Sequence, residues 1–168
     1  SCLDGFKPST FEKERHERDE ATPAILRLLK YLLDRKKDVV LLARVNRVPW
    51  YVHKDKDKRN VESLEDFAEH LRSFFLEGEC KDISISTAHK YKGLEKAAVI
   101  LLDANVGRYP LVHPNWIFLR VFGDSVENIV SEERRLFYVA LTRSMDSLVV
   151  VSSDSKKQSP FLEDIQIQ

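Results

Sequence analysis

Three stretches of the sequence place reactive side chains close together. The densest is S-E-E-R-R-L-F-Y-V-A-L-T-R-S at residues 131–144. Ser131 can cap a helix there, and Glu132 and Glu133 then suit the positive end of its dipole. Leu136, Val139, Ala140 and Arg143 recur at helical spacing, so Arg143 leaves the helix end along an apolar stripe. A cation so placed must find a partner or serve a ligand. Its planar, always-charged fork suits phosphate. An amphipathic helix with a snorkelling arginine would show the same spacing. The second stretch is Thr87-Ala88-His89-Lys90-Tyr91-Lys92-Gly93-Leu94-Glu95. Gly93 allows the backbone to turn and approach a ligand, and His89 and Lys92 share a face on a helical turn. A plain strand–turn–strand connection with incidental charges is the alternative. The third is Arg44-Val45-Asn46-Arg47, which follows the apolar run Val39-Val40-Leu41-Leu42. Open α/β sheets bind ligands at such strand ends, although a surface arginine would also fit.

The elements that must carry these residues alternate along the chain. Residues 1–20 are polar and dense in charge, without apolar periodicity. Thr22-Pro23 signals a helix start, with Ile25, Leu28, Leu29 and Leu32 on one face and Arg35-Lys36-Lys37 at its end. Residues 38–43 form a short apolar run that predicts a buried parallel strand. Trp50-Tyr51-Val52 predicts a strand or turn, and the alternating charges of 53–60 predict a solvated loop. Leu64, Phe67, Ala68, Leu71, Phe74 and Phe75 predict a helix over 61–76, ended by Glu77-Gly78-Glu79. Strands are predicted at 83–87, 97–103 and 147–153, and a separate amphipathic segment at 126–130 precedes the helix opened by Ser131. Residues 154–168 predict a tail with one apolar anchor, Phe161-Leu162. The order predicts a three-layer α/β domain with a mainly parallel sheet over 21–153.

Composition narrows the classes. The chain has 168 residues, 43% hydrophobic and 32% charged, enough for one domain with a core. Lys+Arg and Asp+Glu both number 27, so no bulk positive charge signals nucleic acid. The two cysteines, Cys2 and Cys80, have no metal-binding or redox spacing and suit a reducing cytoplasm. No apolar run reaches the ~18 residues of a membrane span. The chain starts at Ser1, which is expected of a fragment. It contains no G-x-x-x-x-G-K-[ST] loop to cradle phosphates.

The string E-E-R-R-L-F-Y-V-A-L-T-R resembles motif VI of the superfamily 1 DNA helicases of the UvrD/Rep/PcrA type. T-x-H-x-x-K-G-L-E at 87–95 resembles their motif V, and the run into Arg44 resembles their motif IV. The likeness covers roughly 38–153 and implies the second RecA-like motor domain, 2A, a P-loop NTPase-like fold without the P-loop. It implies that Arg143 is an arginine finger for the γ-phosphate of ATP and Arg44 a second γ-phosphate contact. It further implies that Gly93 and Glu95 approach the nucleotide, Glu95 toward the ribose. Thr87, His89 and Lys92 would approach single-stranded DNA. Ala43 stands where these proteins often carry an adenine-stacking tyrosine. Tyr109 or Trp116 would be candidates to stack a base, although such residues more often pin a loop to the core. The implied cofactor is ATP with Mg2+, its metal ligands in an N-terminal RecA-like domain of the same full-length protein. No metal site is expected in this chain, and no ATP hydrolysis by this chain alone. The implied activity is that of a DNA helicase acting in DNA repair. The alternatives are a translocase or remodeller that does not unwind, and a non-catalytic nucleic-acid-binding module. Arg44 and Thr87 lie 43 positions apart, too few for the large 2B insertion of the best-known members.

Overall fold

The computed structural model describes residues 21–49, 62–113, 125–152 and 158–165. Trp50-Tyr51-Val52, residues 53–60 and Trp116 lie outside them. Among the described residues four strands are present: β1 (Val39–Ala43), β2 (Ile83–Thr87), β3 (Lys96–Leu101) and β4 (Ser144–Val150). They lie in the order β2-β1-β3-β4, every pair parallel. The central strand β1 is buried throughout, which is why its sequence is continuously apolar.

Strand alternation divides the core into two. Val39, Leu41 and Ala43 of β1 and Ala98 and Ile100 of β3 face one side. There they meet Ile25, Leu26, Leu29, Leu32 and Leu33 of helix α1 (Ala21–Leu33) and Leu64, Phe67 and Leu71 of helix α2 (Leu64–Arg72). Val40, Leu42, Val99 and Leu101 face the other side, against Phe137, Ala140 and Leu141 of helix α4 (Val126–Leu141). The result is three layers: α1 and α2, the sheet, and α4.

Local chemistry fixes the helix ends. Ser63 caps α2 through a reciprocal pair: its Oγ accepts from the Asp66 amide and its own amide donates to Asp66 Oδ2. The helix expected over 61–76 stops at Arg72. Glu77-Gly78-Glu79, expected to end it, instead opens a short helix α3 (Glu77–Cys80), where the Glu79 carboxylate accepts from the Leu76 amide. Thr22, expected as a cap, lies within α1. Ser131 does not cap α4 either: the helix starts earlier, with Ser125 Oγ accepting from the Asn128 amide. The segment 126–130 and the helix predicted after it are therefore one element. β4 also begins three residues before the predicted 147.

At the start of the strands, Asp38 Oδ2 accepts from Lys96 Nζ at 2.8 Å and Oδ1 from the Ala97 amide at 3.0 Å, tying β1 to β3. The Lys96 ammonium holds the Asp38 carboxyl below its ordinary range. The C-terminal segment returns to the fold through a 3-10 turn (Pro160–Leu162) whose Phe161 is buried against Phe137, ring centroids 5.7 Å apart.

Candidate functional site

Because the sheet is parallel, its two edges can be ranked by register. Ala43 pairs with Thr87 and Leu42 with Leu101, so Arg44, Thr87 and Asp103 share the carboxyl edge. Ser144 pairs with Lys96, so Arg143 and Glu95 share the amino edge. Residues 88–95 join the two edges. They leave β2 at the carboxyl edge and reach β3 at the amino edge, crossing β1 on the α4 side, where Ala88 and Tyr91 pack with Phe137. Thr87 begins this crossover: it is nearly buried, and its Oγ1 accepts from the Lys90 amide at 3.3 Å. Gly93 ends the turn at φ +87, a backbone that disfavours any side chain, with open space where a Cβ would stand.

Between the crossover and α4 lies a cleft of about 570 Å³. His89 and Lys92, both exposed, line one wall, and Glu132, Arg135, Leu136, Tyr138 and Val139 line the other. Its floor is largely apolar and its rim charged. Among the described residues, no group of three or more His, Cys, Asp or Glu is placed to hold a metal.

Arg143 closes the carboxyl end of α4, at the amino edge of the sheet, against this crossover. Its Nε donates to Val139 O at 3.0 Å, a well-formed bond. Its two terminal nitrogens make only long contacts, 3.5 Å to Leu94 O and 3.3 Å to Thr142 Oγ1. The end of the fork is thus loosely tethered beside Gly93 and Glu95, and Glu95 is exposed.

Arg44 is held in the opposite manner. Its Nε donates to Glu133 Oε2 at 2.8 Å and its Nη2 to Glu133 Oε1 at 2.5 Å. Glu133 Oε2 also accepts from the Leu111 amide at 3.1 Å. The side chains are only 13% and 10% exposed. This buried, side-on pair joins the loop after β1, the loop after β3 and the middle of α4.

The two arginines expected together at one phosphate are therefore apart. Eight strand residues separate the levels of Glu95 and Asp103, which puts the Arg143 and Arg44 Cα atoms roughly 26 Å apart along the sheet. Their guanidinium groups grip α4 at Val139 and Glu133, six residues or about 9 Å along the axis. One phosphoryl group cannot accept from both while they keep these partners. Gly93, Glu95 and Arg143 do come together at the amino edge; Thr87 and Arg44 stand at the other, with His89 and Lys92 along the crossover.

Residues 36–155 match the family model described as the UvrD-like helicase C-terminal domain. The chain belongs to this family. Two relatives are probable DNA helicase II homologues. The one from Mycoplasma genitalium is 33% identical over 115 residues, 64% of this chain and 15% of that protein. The one from Mycoplasma pneumoniae is 30% identical over 156 residues, 84% of this chain and 21% of that protein. The UvrD-like domain thus spans about a fifth or less of the length of these relatives. The C-terminal domain of a possible DNA helicase from Lactobacillus plantarum WCFS1 overlays 87% of this chain and 73% of its own at 16% identity, with a TM-score of 0.48, too loose a likeness to bear on function.

The core claims two further residues of the UvrD-like domain. Tyr109, a candidate to stack a base, is fully buried edge-on against Phe137 at 5.0 Å, so it packs the core. Glu133, read as a helix-dipole residue, lies in the second turn of α4 and is buried. The buried face of α4 runs through Glu133, Phe137, Ala140 and Leu141, not through Leu136 and Val139. An acidic residue heading an apolar i, i+4, i+7, i+8 stripe was the available signal.

Proposed function

We propose that this domain is the C-terminal half of an ATP-driven DNA motor, presenting Arg143 to a nucleotide held by a second, P-loop-bearing motor domain of the full-length protein. The observation that carries the reading is the contrast between the arginines. Arg44 is committed to a buried carboxylate, whereas Arg143 is anchored by one bond and leaves its terminal nitrogens for an anion. Gly93, with open space about it, and exposed Glu95 fit a nucleotide edge beside Arg143. ATP bound between the two domains would bring the γ-phosphoryl charge that such a fork neutralises, and its magnesium would be held by the partner domain. This chain's own share is to place one cation. The domain alone, lacking a P-loop, would not hydrolyse ATP.

The crossover supplies the link to nucleic acid. His89 and Lys92 project from it as exposed hydrogen-bond donors for single-stranded DNA, and Thr87 braces the turn that carries them. One segment of nine residues thus runs from the DNA side to the nucleotide side, so a shift at one end is felt at the other. The helicase II naming of the relatives supports unwinding as the output. The short spacing between Arg44 and Thr87 favours a second reading, a translocase that moves on DNA without separating strands.

The test is oligodeoxythymidylate binding by the full-length protein. Lys92→Ala and His89→Ala should each weaken it. Lys92→Ala should also flatten the salt dependence by about 0.7 per lost phosphate contact. Unchanged affinity and slope in the double variant would remove the crossover from the DNA path.

A further inference from the structure

The buried ion pair between Glu133 and Arg44 has no task in the proposed motor. Glu133 and Arg44 are 89 positions apart, and Glu133 accepts three hydrogen bonds: two from Arg44 and one from the Leu111 amide. The groups it joins belong to three segments that enter the carboxyl edge separately. Arg44 follows β1, Leu111 follows the β3 loop, and Glu133 sits on α4. A charge pair this dry, with its oxygens already occupied, offers no attraction to a phosphate. Its remaining capacity is geometric. A side-on guanidinium–carboxylate contact fixes both distance and orientation.

What it fixes is α4. The apolar face of α4 packs on the sheet through Phe137, Ala140 and Leu141, contacts that tolerate small slides along the helix axis. The Glu133 contact does not, because a slide would strip three hydrogen bonds at once. Arg143 lies ten positions further along the chain, just past the end of the same helix, and its own tether to Leu94 O is long. Its position past the amino edge is therefore set from the carboxyl edge.

We propose that Glu133, acting with Arg44, is the positioning residue of the arginine finger: it sets how far α4 carries Arg143 toward the nucleotide. This rests on the reading of Arg143 given above. A displacement of about 1 Å at the reacting group can lower a rate by as much as 10²-fold, so the pair acts on turnover and leaves nucleotide affinity nearly untouched.

The test is single-stranded-DNA-stimulated ATP hydrolysis by the full-length protein in E133Q, R44K and R143A, and in E133Q/R143A. E133Q is near-isosteric, R44K keeps the charge without the side-on geometry, and a melting scan confirms that each variant is folded. The expected result is a roughly ten- to hundredfold lower kcat in E133Q and R44K, with KM for ATP within about threefold. In the R143A background, E133Q should have no further effect. A wild-type kcat in both E133Q and R44K overturns the proposal while R143A remains impaired. An equal loss from E133Q with and without Arg143 also overturns it, since the pair would then act elsewhere. A wild-type rate in R143A itself would instead refute the reading of Arg143 on which the proposal stands.

Discussion

Replacing Glu133 with alanine strands the Arg44 guanidinium in a site where the side chain is only 13% exposed. The substitution removes acceptors at 2.8 and 2.5 Å from Arg44 and at 3.1 Å from the Leu111 amide. Breaking a buried pair by deleting one partner costs about 3–5 kcal/mol, because the surviving charge stays desolvated. For a domain of this length each kcal/mol moves Tm by about 2–4 °C, so E133A should melt roughly 6–20 °C lower. The double variant R44M/E133L removes both charges and fills the space with apolar atoms. It should recover most of the loss, since a packed apolar pair is often as stable as the buried ion pair it replaces. Urea unfolding of the wild type, R44M, E133L and R44M/E133L closes a cycle that gives the coupling energy directly. The reasoning fails if E133A lies within about 1 kcal/mol of the wild type, or if R44M/E133L is no more stable than E133A. Either result would mean that water reaches the pair and that it does not lock α4.

Two other changes probe single groups. The Tyr109 hydroxyl is buried, pushed to a high pKa by that burial, and has no hydrogen-bond partner among the described residues. Tyr109→Phe should therefore raise the urea midpoint, by about 1 kcal/mol of stability; a comparable loss would reveal a bond to the hydroxyl. Asp38 is held below its ordinary value of 3.8 by Lys96, so its contribution is present above that pH and lost as the pH falls through the folded value. Both partners are partly exposed, at 38% and 29%, so the contribution should be under about 1 kcal/mol. Asp38→Asn should be less stable than the wild type near neutrality and equal to it near about pH 2, as followed by acid and urea titration; a gap that persists there would mean the carboxylate acts by packing.

Strand positions were the most legible part of the sequence. The run from Val39 to Leu42 could only be buried on both faces, and β2 starts and stops where its apolar-polar pattern does. Helix ends were less so. Ser131 and Ser125 are equally good caps in isolation, and what decides between them is that α4 must span the sheet before β4 can begin. The apolar stripe of α4 was misplaced for a related reason. Leu136 and Val139 look like core, yet Phe137, one position on, is the residue that meets Tyr109 and Phe161. The separation of Arg44 from Arg143 was available in the sequence but not drawn: in a parallel sheet the residue after β1 and the residue before β4 reach opposite edges. What needed the structure was the path of residues 88–95 across the full height of the sheet. The pairing of Arg44 with Glu133, 89 positions away, is likewise a product of the fold.

The most direct measurement is the kcat of single-stranded-DNA-stimulated ATP hydrolysis by the full-length protein, wild type against Arg143→Ala, with DNA affinity measured alongside. An arginine finger contributes about 10³ to 10⁵ in rate, so R143A should lose at least roughly 100-fold in kcat while binding DNA as the wild type does. A rate within about threefold of the wild type, with the protein folded and DNA bound, would contradict the account and leave Arg143 as the cap of a helix.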